Sequence, residues 1–203
     1  RRQRPRCPKA ANASAAPVCC TASVTTATEP APPPLRTIAP VSLGRLEEPE
    51  TVNGAILARY RELREHPATR RTHWTQGRFE NTYIEAEQIP QLRPVIAAAL
   101  HYARTLLDRE RLKFGYWFNE MQPGQQTTLH SHDEADELLS CVYYVTAPAQ
   151  AGRLELHDPP ALVYVQPAPG LFVFFAPQLP HAVETNRSRE LRLSVAFNFG
   201  PAP

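Results

Sequence analysis

The chain has 203 residues, room for one domain plus an extension, and no apolar run approaches the roughly 18 residues of a spanning helix. No membrane-spanning helix is therefore expected within these residues. The formal charge is +2, but residues 1–29 hold five basic side chains (Arg1, Arg2, Arg4, Arg6, Lys9) against one acid, Glu29, which leaves 17 basic and 19 acidic side chains in the remainder. That balance argues against a nucleic-acid surface.

The first 35 residues are rich in Arg, Ala, Ser, Thr and Pro and lack hydrophobic periodicity. Such a composition suits an organelle transit peptide, with APVCCTAS similar to a plastid processing site, or else a disordered linker. The chain does not begin with Met, so a fragment or processed form is expected. Residues 1–40 are accordingly read as a leader. The expected location is a plastid or mitochondrion if the leader is an address, and the cytoplasm otherwise. Cys7, Cys19 and Cys20 fall in this leader, and Cys141 alone lies in the patterned region. A single core cysteine reads as a small buried hydrophobe in a reducing compartment.

From about Val41 a folded domain is expected, helical in character over 41–112 and β over 113–200. VNGAILARYRELREHP reads as an amphipathic helix with Ile56, Tyr60 and Leu63 on one face, ended by Pro67. RTHWTQGRFENTYIE reads as loop followed by a short strand. PVIAAALHYARTLLDRERL reads as a second helix, with Pro94 in its first turn and Val95, Ala98, Ala99, Tyr102 and Leu106 at helical spacing. Both helices read as support. His66, His73 and His101 read as ordinary histidines. After Leu112 come short runs rich in Val, Leu, Phe and Tyr, broken by Pro or Gly about every eight to twelve residues, the signature of an antiparallel sandwich or barrel.

Chemistry concentrates in TLHSHDEADELLSCVYY, from Thr128 to Tyr144, and in FVFFAPQLPHAVETN. Residues i and i+2 of a strand share a face, so His130 and His132 can aim two imidazoles at one point and His181 can add a third. Neutral imidazole suits Fe(II) and other late divalent ions, and two histidines plus a carboxylate with open positions is the usual oxygenase arrangement.

The run from Trp117 to Asn198 resembles a group of small 2-oxoglutarate and Fe(II)-dependent oxygenases built on the double-stranded β-helix, or jelly roll. The matching pieces are Trp117-x-Asn119, Pro123-Gly124, His130-x-His132, LSCVYYV, Gly152 to Asp158-Pro159, PGLFVF before Leu179-Pro180-His181, and Arg192-Leu193-Ser194 running into AFN. The resemblance implies a mainly β jelly roll with two supporting N-terminal helices. It also implies Fe(II), 2-oxoglutarate and O2 as cofactor and cosubstrates, with hydroxylation of a substrate and release of succinate and CO2. His130 and His181 would ligate iron. The third ligand stays open: His132 comes first, Glu134 second through a shifted register, and Asp133 could reach in from a bulge. Arg192, with Ser194 two residues on, would hold the distal carboxylate of 2-oxoglutarate, because a guanidinium pairs bidentately and stays charged when buried. Tyr143 or Tyr144 could add a phenol, and Trp117, Asn119 and Phe172–Phe175 would line or back the barrel.

The same stretches also resemble the two cupin motifs, in which His130, His132, Glu137 and His181 would form a three-His-one-Glu site. Tyr144 stands where the first of those motifs closes on Gly, and cupins need no Arg-x-Ser after the last histidine. A metal-free β-domain that binds a partner is the remaining alternative. No pattern identifies the substrate, and jelly-roll edges leave a homodimer open.

Overall fold

The computed structural model describes residues 41–75, 77–132 and 136–202. The leader, Asp133 and Glu134 therefore lie outside the described residues. In chain order the elements are β1 (Ser42–Arg45), α1 (Pro49–Leu63), β2 (Arg70–Thr75), β3 (Arg78–Tyr83), a 3-10 turn (Pro90–Leu92), α2 (Arg93–Leu107), β4 (Leu112–Met121), β5 (Thr127–His130), β6 (Leu139–Thr146), β7 (Leu154–Asp158), β8 (Ala161–Val165), β9 (Leu171–Phe175), β10 (His181–Val183) and β11 (Arg192–Pro201). Two antiparallel sheets form, a major one in the order β1-β9-β6-β11-β4-β3-β2 and a minor one in the order β5-β10-β7-β8. The expected jelly roll is present, with two helices beside it. No helix among the described residues is long and apolar enough to cross a membrane.

Both helices exist for the reasons the pattern gives, with shifted ends. Pro49 opens α1, where its missing N–H costs nothing, and Asn53, Ile56, Tyr60 and Leu63 bury one stripe. The α2 helix stops at Leu107 rather than running to 112, because Asp108 turns left-handed at φ 50. Its buried stripe is Val95, Ala99 and Ala103, small residues that let the helix lie close to the sheet, while Leu106 is exposed. RTHWTQGRFENTYIE forms the β2–β3 hairpin in place of a loop and one strand, turning at Gly77 with φ 78. The hairpin extends the major sheet through Thr82 opposite Phe118.

The central strand β11 lies between β4 and β6, and its two faces go to different places. Leu193, Val195, Phe197 and Phe199 join Phe118, Tyr143, Phe172 and Phe174 in the core beneath the helices. The opposite face turns toward the minor sheet, where Tyr144, Val173, Phe175, Leu154 and Leu156 form a second core. Cys141 is buried and free, and burial raises its thiol pKa well above the ordinary value. It is the small buried hydrophobe that the sequence suggests.

Candidate metal and anion site

The minor sheet brings the histidines together. His130 ends β5 and lies directly opposite His181 at the start of β10, while His132 follows on the loop that leaves β5. The ring centres are 4.3 Å apart for His130 and His181, 5.1 Å for His130 and His132, and 5.2 Å for His132 and His181. One ligand atom from each lies within 4.8 Å of the others, a group that could hold a metal ion. The tautomers suit that role. His130 Nδ1 is 2.9 Å from the Thr128 carbonyl and His181 Nδ1 is 2.9 Å from the Leu179 carbonyl. A carbonyl only accepts, so both Nδ1 atoms carry protons and each Nε2 keeps its lone pair. His181 is buried. Burial, then the neighbouring His130, pushes its pKa down to about 3, which holds the ring neutral.

Glu137 is not in this group, although one of its carboxylate oxygens, Oε2, is buried without a hydrogen-bond partner. Among the described residues the site is three histidines with no carboxylate.

The opposite wall of the same cavity is the inward face of the major sheet. Cross-strand pairing puts Asn119, Ser194 and Tyr144 in one row across β4, β11 and β6, with Arg192 two residues along on the same face. Arg192 is 2 % exposed. Its Nη1 lies 3.2 Å from Met121 Sδ and its guanidinium carbon 5.1 Å from the Tyr144 ring centre. Arg192 Nε and the Tyr144 hydroxyl are buried without hydrogen-bond partners among the described residues. Burial lowers the Arg192 pKa and raises that of Tyr144, each charge easing the other. A buried guanidinium thus faces a cavity of about 370 Å³, which Arg192, Ser194 and Asn119 line together with all three histidines.

Two expectations change. Tyr143 faces away: it sits in the helix-side core and its hydroxyl donates to Asn53 Oδ1 at 2.6 Å. Tyr144 packs on the opposite face, beside Arg192. Of the Phe run, Phe175 lines the cavity and packs 4.8 Å from the His181 ring, whereas Phe172 and Phe174 belong to the other core. Asn119 lines the wall as expected, but its amide is engaged with the Glu80 carbonyl at 2.7 Å. Trp117 lines it too, edge-on to His132 at 5.8 Å. The hairpin residues His73, Glu80, Asn81 and Tyr83, unmarked by the sequence reading, also contribute to the wall.

Residues 115–163 and 158–198 match the model of a family described as "Putative 2OG-Fe(II) oxygenase". No curated protein sequence matches the chain. Among solved structures, the chain is similar to the non-heme alpha ketoglutarate dependent carbocyclase SnoK from nogalamycin biosynthesis, at 16 % identity, 81 % coverage of each chain and a TM-score of 0.66. It is also similar to EvdO2 from Micromonospora carbonacea var. aurantiaca complexed with 2-oxoglutarate, at 18 % identity over 82 % of this chain and 88 % of that one, with a TM-score of 0.61. A Pseudomonas putida prolyl-4-hydroxylase matches at 18 % identity over 81 % and 89 % of the two chains, with a TM-score of 0.56.

Proposed function

We propose that this chain, a 2OG/Fe(II)-dependent oxygenase by the signature of its β core and by its fold, holds iron on His130, His132 and His181 and anchors 2-oxoglutarate on Arg192. The observation that carries the reading is Arg192 itself. A guanidinium with no carboxylate partner among the described residues, buried in the wall that faces three convergent imidazoles, is suited to an anion from outside the chain. A dicarboxylate able to reach from the guanidinium to the metal is such an anion.

The division of labour follows from the geometry. His130 and His181 are oriented by their own backbone carbonyls and present Nε2. The depressed pKa of His181 keeps the proton from competing with the metal. Arg192 binds one carboxylate of 2-oxoglutarate, and the hydroxyls of Ser194 and Tyr144, beside it on the same face, donate to the same group. Phe175 and Trp117 lay apolar surface against His181 and His132. Iron and 2-oxoglutarate together supply the oxidising chemistry, in which O2 is consumed, the 2-oxo acid leaves as succinate and CO2, and a substrate C–H bond is hydroxylated. A site of three neutral ligands carries one less negative charge than one with a carboxylate, so it holds an anionic cosubstrate more tightly.

Succinate formation from 2-oxoglutarate with Fe(II), ascorbate and air tests the reading. Slow turnover in the native chain, lost in both Arg192→Ala and His181→Ala, is expected. Anaerobic addition of 2-oxoglutarate to the Fe(II) protein should also raise a weak visible charge-transfer band. Iron binding that is indifferent to 2-oxoglutarate would sink the assignment. Comparing iron affinity in His132→Ala and Glu134→Ala decides the third ligand, and the larger loss is expected from His132→Ala.

A further inference from the structure

The β2–β3 hairpin supplies a stretch of cavity wall that neither the metal nor 2-oxoglutarate uses. Its His73 is singled out by backbone shape. The flanking pairs Thr72–Asn81 and Trp74–Phe79 keep strand register, yet His73 between them adopts φ 56. A left-handed conformation costs an L residue on the order of 1 kcal/mol, and such strain gathers at functional sites.

A chain of hydrogen bonds fixes what this imidazole offers. Asn119 Nδ2 lies 2.7 Å from the Glu80 carbonyl, which only accepts, so the orientation of the Asn119 amide is set. The same NH2 reaches Asn81 Oδ1 at 3.3 Å, so the oxygen of Asn81 faces Asn119. Its NH2 then faces His73 Nδ1 at 3.1 Å and the Tyr83 hydroxyl at 3.4 Å. The Thr72 hydroxyl lies 2.8 Å from the same ring nitrogen. An imidazole that accepts at Nδ1 carries its proton on Nε2.

Apart from the histidines, the charged groups on this wall among the described residues are Arg192 and Glu80. The first is committed to the cosubstrate, and the second is bound to Arg78 at 3.1 Å. Arg70, on the same hairpin, lies stacked on Tyr83 with its guanidinium carbon 3.7 Å from the ring centre. Among the described residues no further charge on this wall is left to meet a charged group of a substrate.

We propose, resting on the oxygenase reading, that His73 recognises the substrate by donating from Nε2–H to an uncharged oxygen, a carbonyl or hydroxyl. Asn81 acts as the positioning residue that sets the donor tautomer. With the charges among the described residues already engaged, the substrate class is a neutral, oxygen-bearing molecule or side chain rather than a carboxylate or an amine.

Isotope-labelled histidine, followed by NMR in the full chain loaded with Zn(II) and 2-oxoglutarate, tests this directly, with His73→Asn identifying the resonances. The expected spectrum shows His73 as the Nε2–H tautomer. Its Nε2 signal should move saturably with N-methylacetamide at millimolar concentration and stay still with sodium acetate. Asn81→Asp sets a carboxylate against Nδ1 and obliges that nitrogen to donate. The expected result is protonation at Nδ1 and loss of the amide response. An Nδ1–H tautomer in the native chain, no response to the amide, a response to acetate in its place, or an Asn81→Asp spectrum unchanged in both respects would each overturn the proposal. Metal and cosubstrate binding are read in the same samples from the three site histidines. Failure there would sink the oxygenase reading while leaving the His73 result interpretable on its own.

Discussion

Replacing Arg192 by Met should make the ligand-free protein more stable and the cosubstrate complex weaker. Both signs come from one fact: the guanidinium is 2 % exposed, touches Met121 Sδ and the Tyr144 ring, and has an Nε without a partner among the described residues. Exchanging a buried ionic group for a well-packed apolar one of similar length commonly relieves about 1–4 kcal/mol. For a domain of this size each kcal/mol corresponds to roughly 2–4 °C in Tm. Removing one partner of a buried charge-assisted contact costs about 2–5 kcal/mol, or roughly 30- to 5,000-fold in Kd. Thermal unfolding of the Zn(II)-loaded protein with and without 2-oxoglutarate measures both. At a hundredfold excess over the native Kd, the cosubstrate should stabilise the native chain by about 2.7 kcal/mol and Arg192→Met by less than about 1 kcal/mol. A variant less stable than the native chain without 2-oxoglutarate, or one that keeps the ligand-induced rise, would refute the claim that this charge exists to meet an anion.

The two adjacent tyrosines should separate cleanly. Tyr143→Phe loses the bond to Asn53 on α1 and about 1–2 kcal/mol of stability with unchanged 2-oxoglutarate affinity, whereas Tyr144→Phe weakens 2-oxoglutarate binding and leaves Tm close to native in paired titration and melting experiments. Gly152 has φ 87, and a Cβ there would run into the Glu184 carbonyl oxygen one residue beyond β10. Gly152→Ala should therefore cost about 1–3 kcal/mol in denaturant titration and also reduce metal affinity by displacing the strand that starts at His181. Arg153 donates from its backbone N–H, Nε and Nη2 to Glu184 and holds that carboxyl at about 2, below the ordinary 4.5. A depressed carboxyl contributes stability above its unfolded value that is lost as pH falls through the folded one. With the Glu184 side chain 32 % exposed, the contribution is at most about 1 kcal/mol. Stability curves of native protein and Glu184→Gln should run apart above pH 4.5 and meet near pH 2.

What could be read from the sequence depended on whether an element carried a one-sided hydrophobic pattern. The barrel strands and the His130, His132 and His181 grouping did, because period two and the i, i+2 rule need no knowledge of the partner strand. The β2–β3 hairpin did not. RRTHWT is largely exposed along its length, so no alternation marks it, and Gly77 was the one turn signal in the stretch. Four-residue β1 offers a single buried position, too little for any period to register. The choice between Tyr143 and Tyr144 needed register, since adjacent residues of a strand face opposite ways. His73 was invisible for a different reason: its role rests on a left-handed backbone and on an amide chain that begins at Asn119, and neither leaves a trace in local sequence.

Register is also what ties stability to chemistry here. Along β11 the odd positions, Leu193, Val195, Phe197 and Phe199, fill the core beneath the helices, while the even positions Arg192, Ser194, Ala196 and Asn198 line the cavity. A slip of one residue would expose four apolar side chains to the cavity and drive a guanidinium into the helix-side core, penalties that add rather than cancel. The strand therefore has no low-energy alternative that keeps the fold and loses the site. The buried, unpaired charge can be tolerated because the apolar face on the other side of the same strand holds it in place.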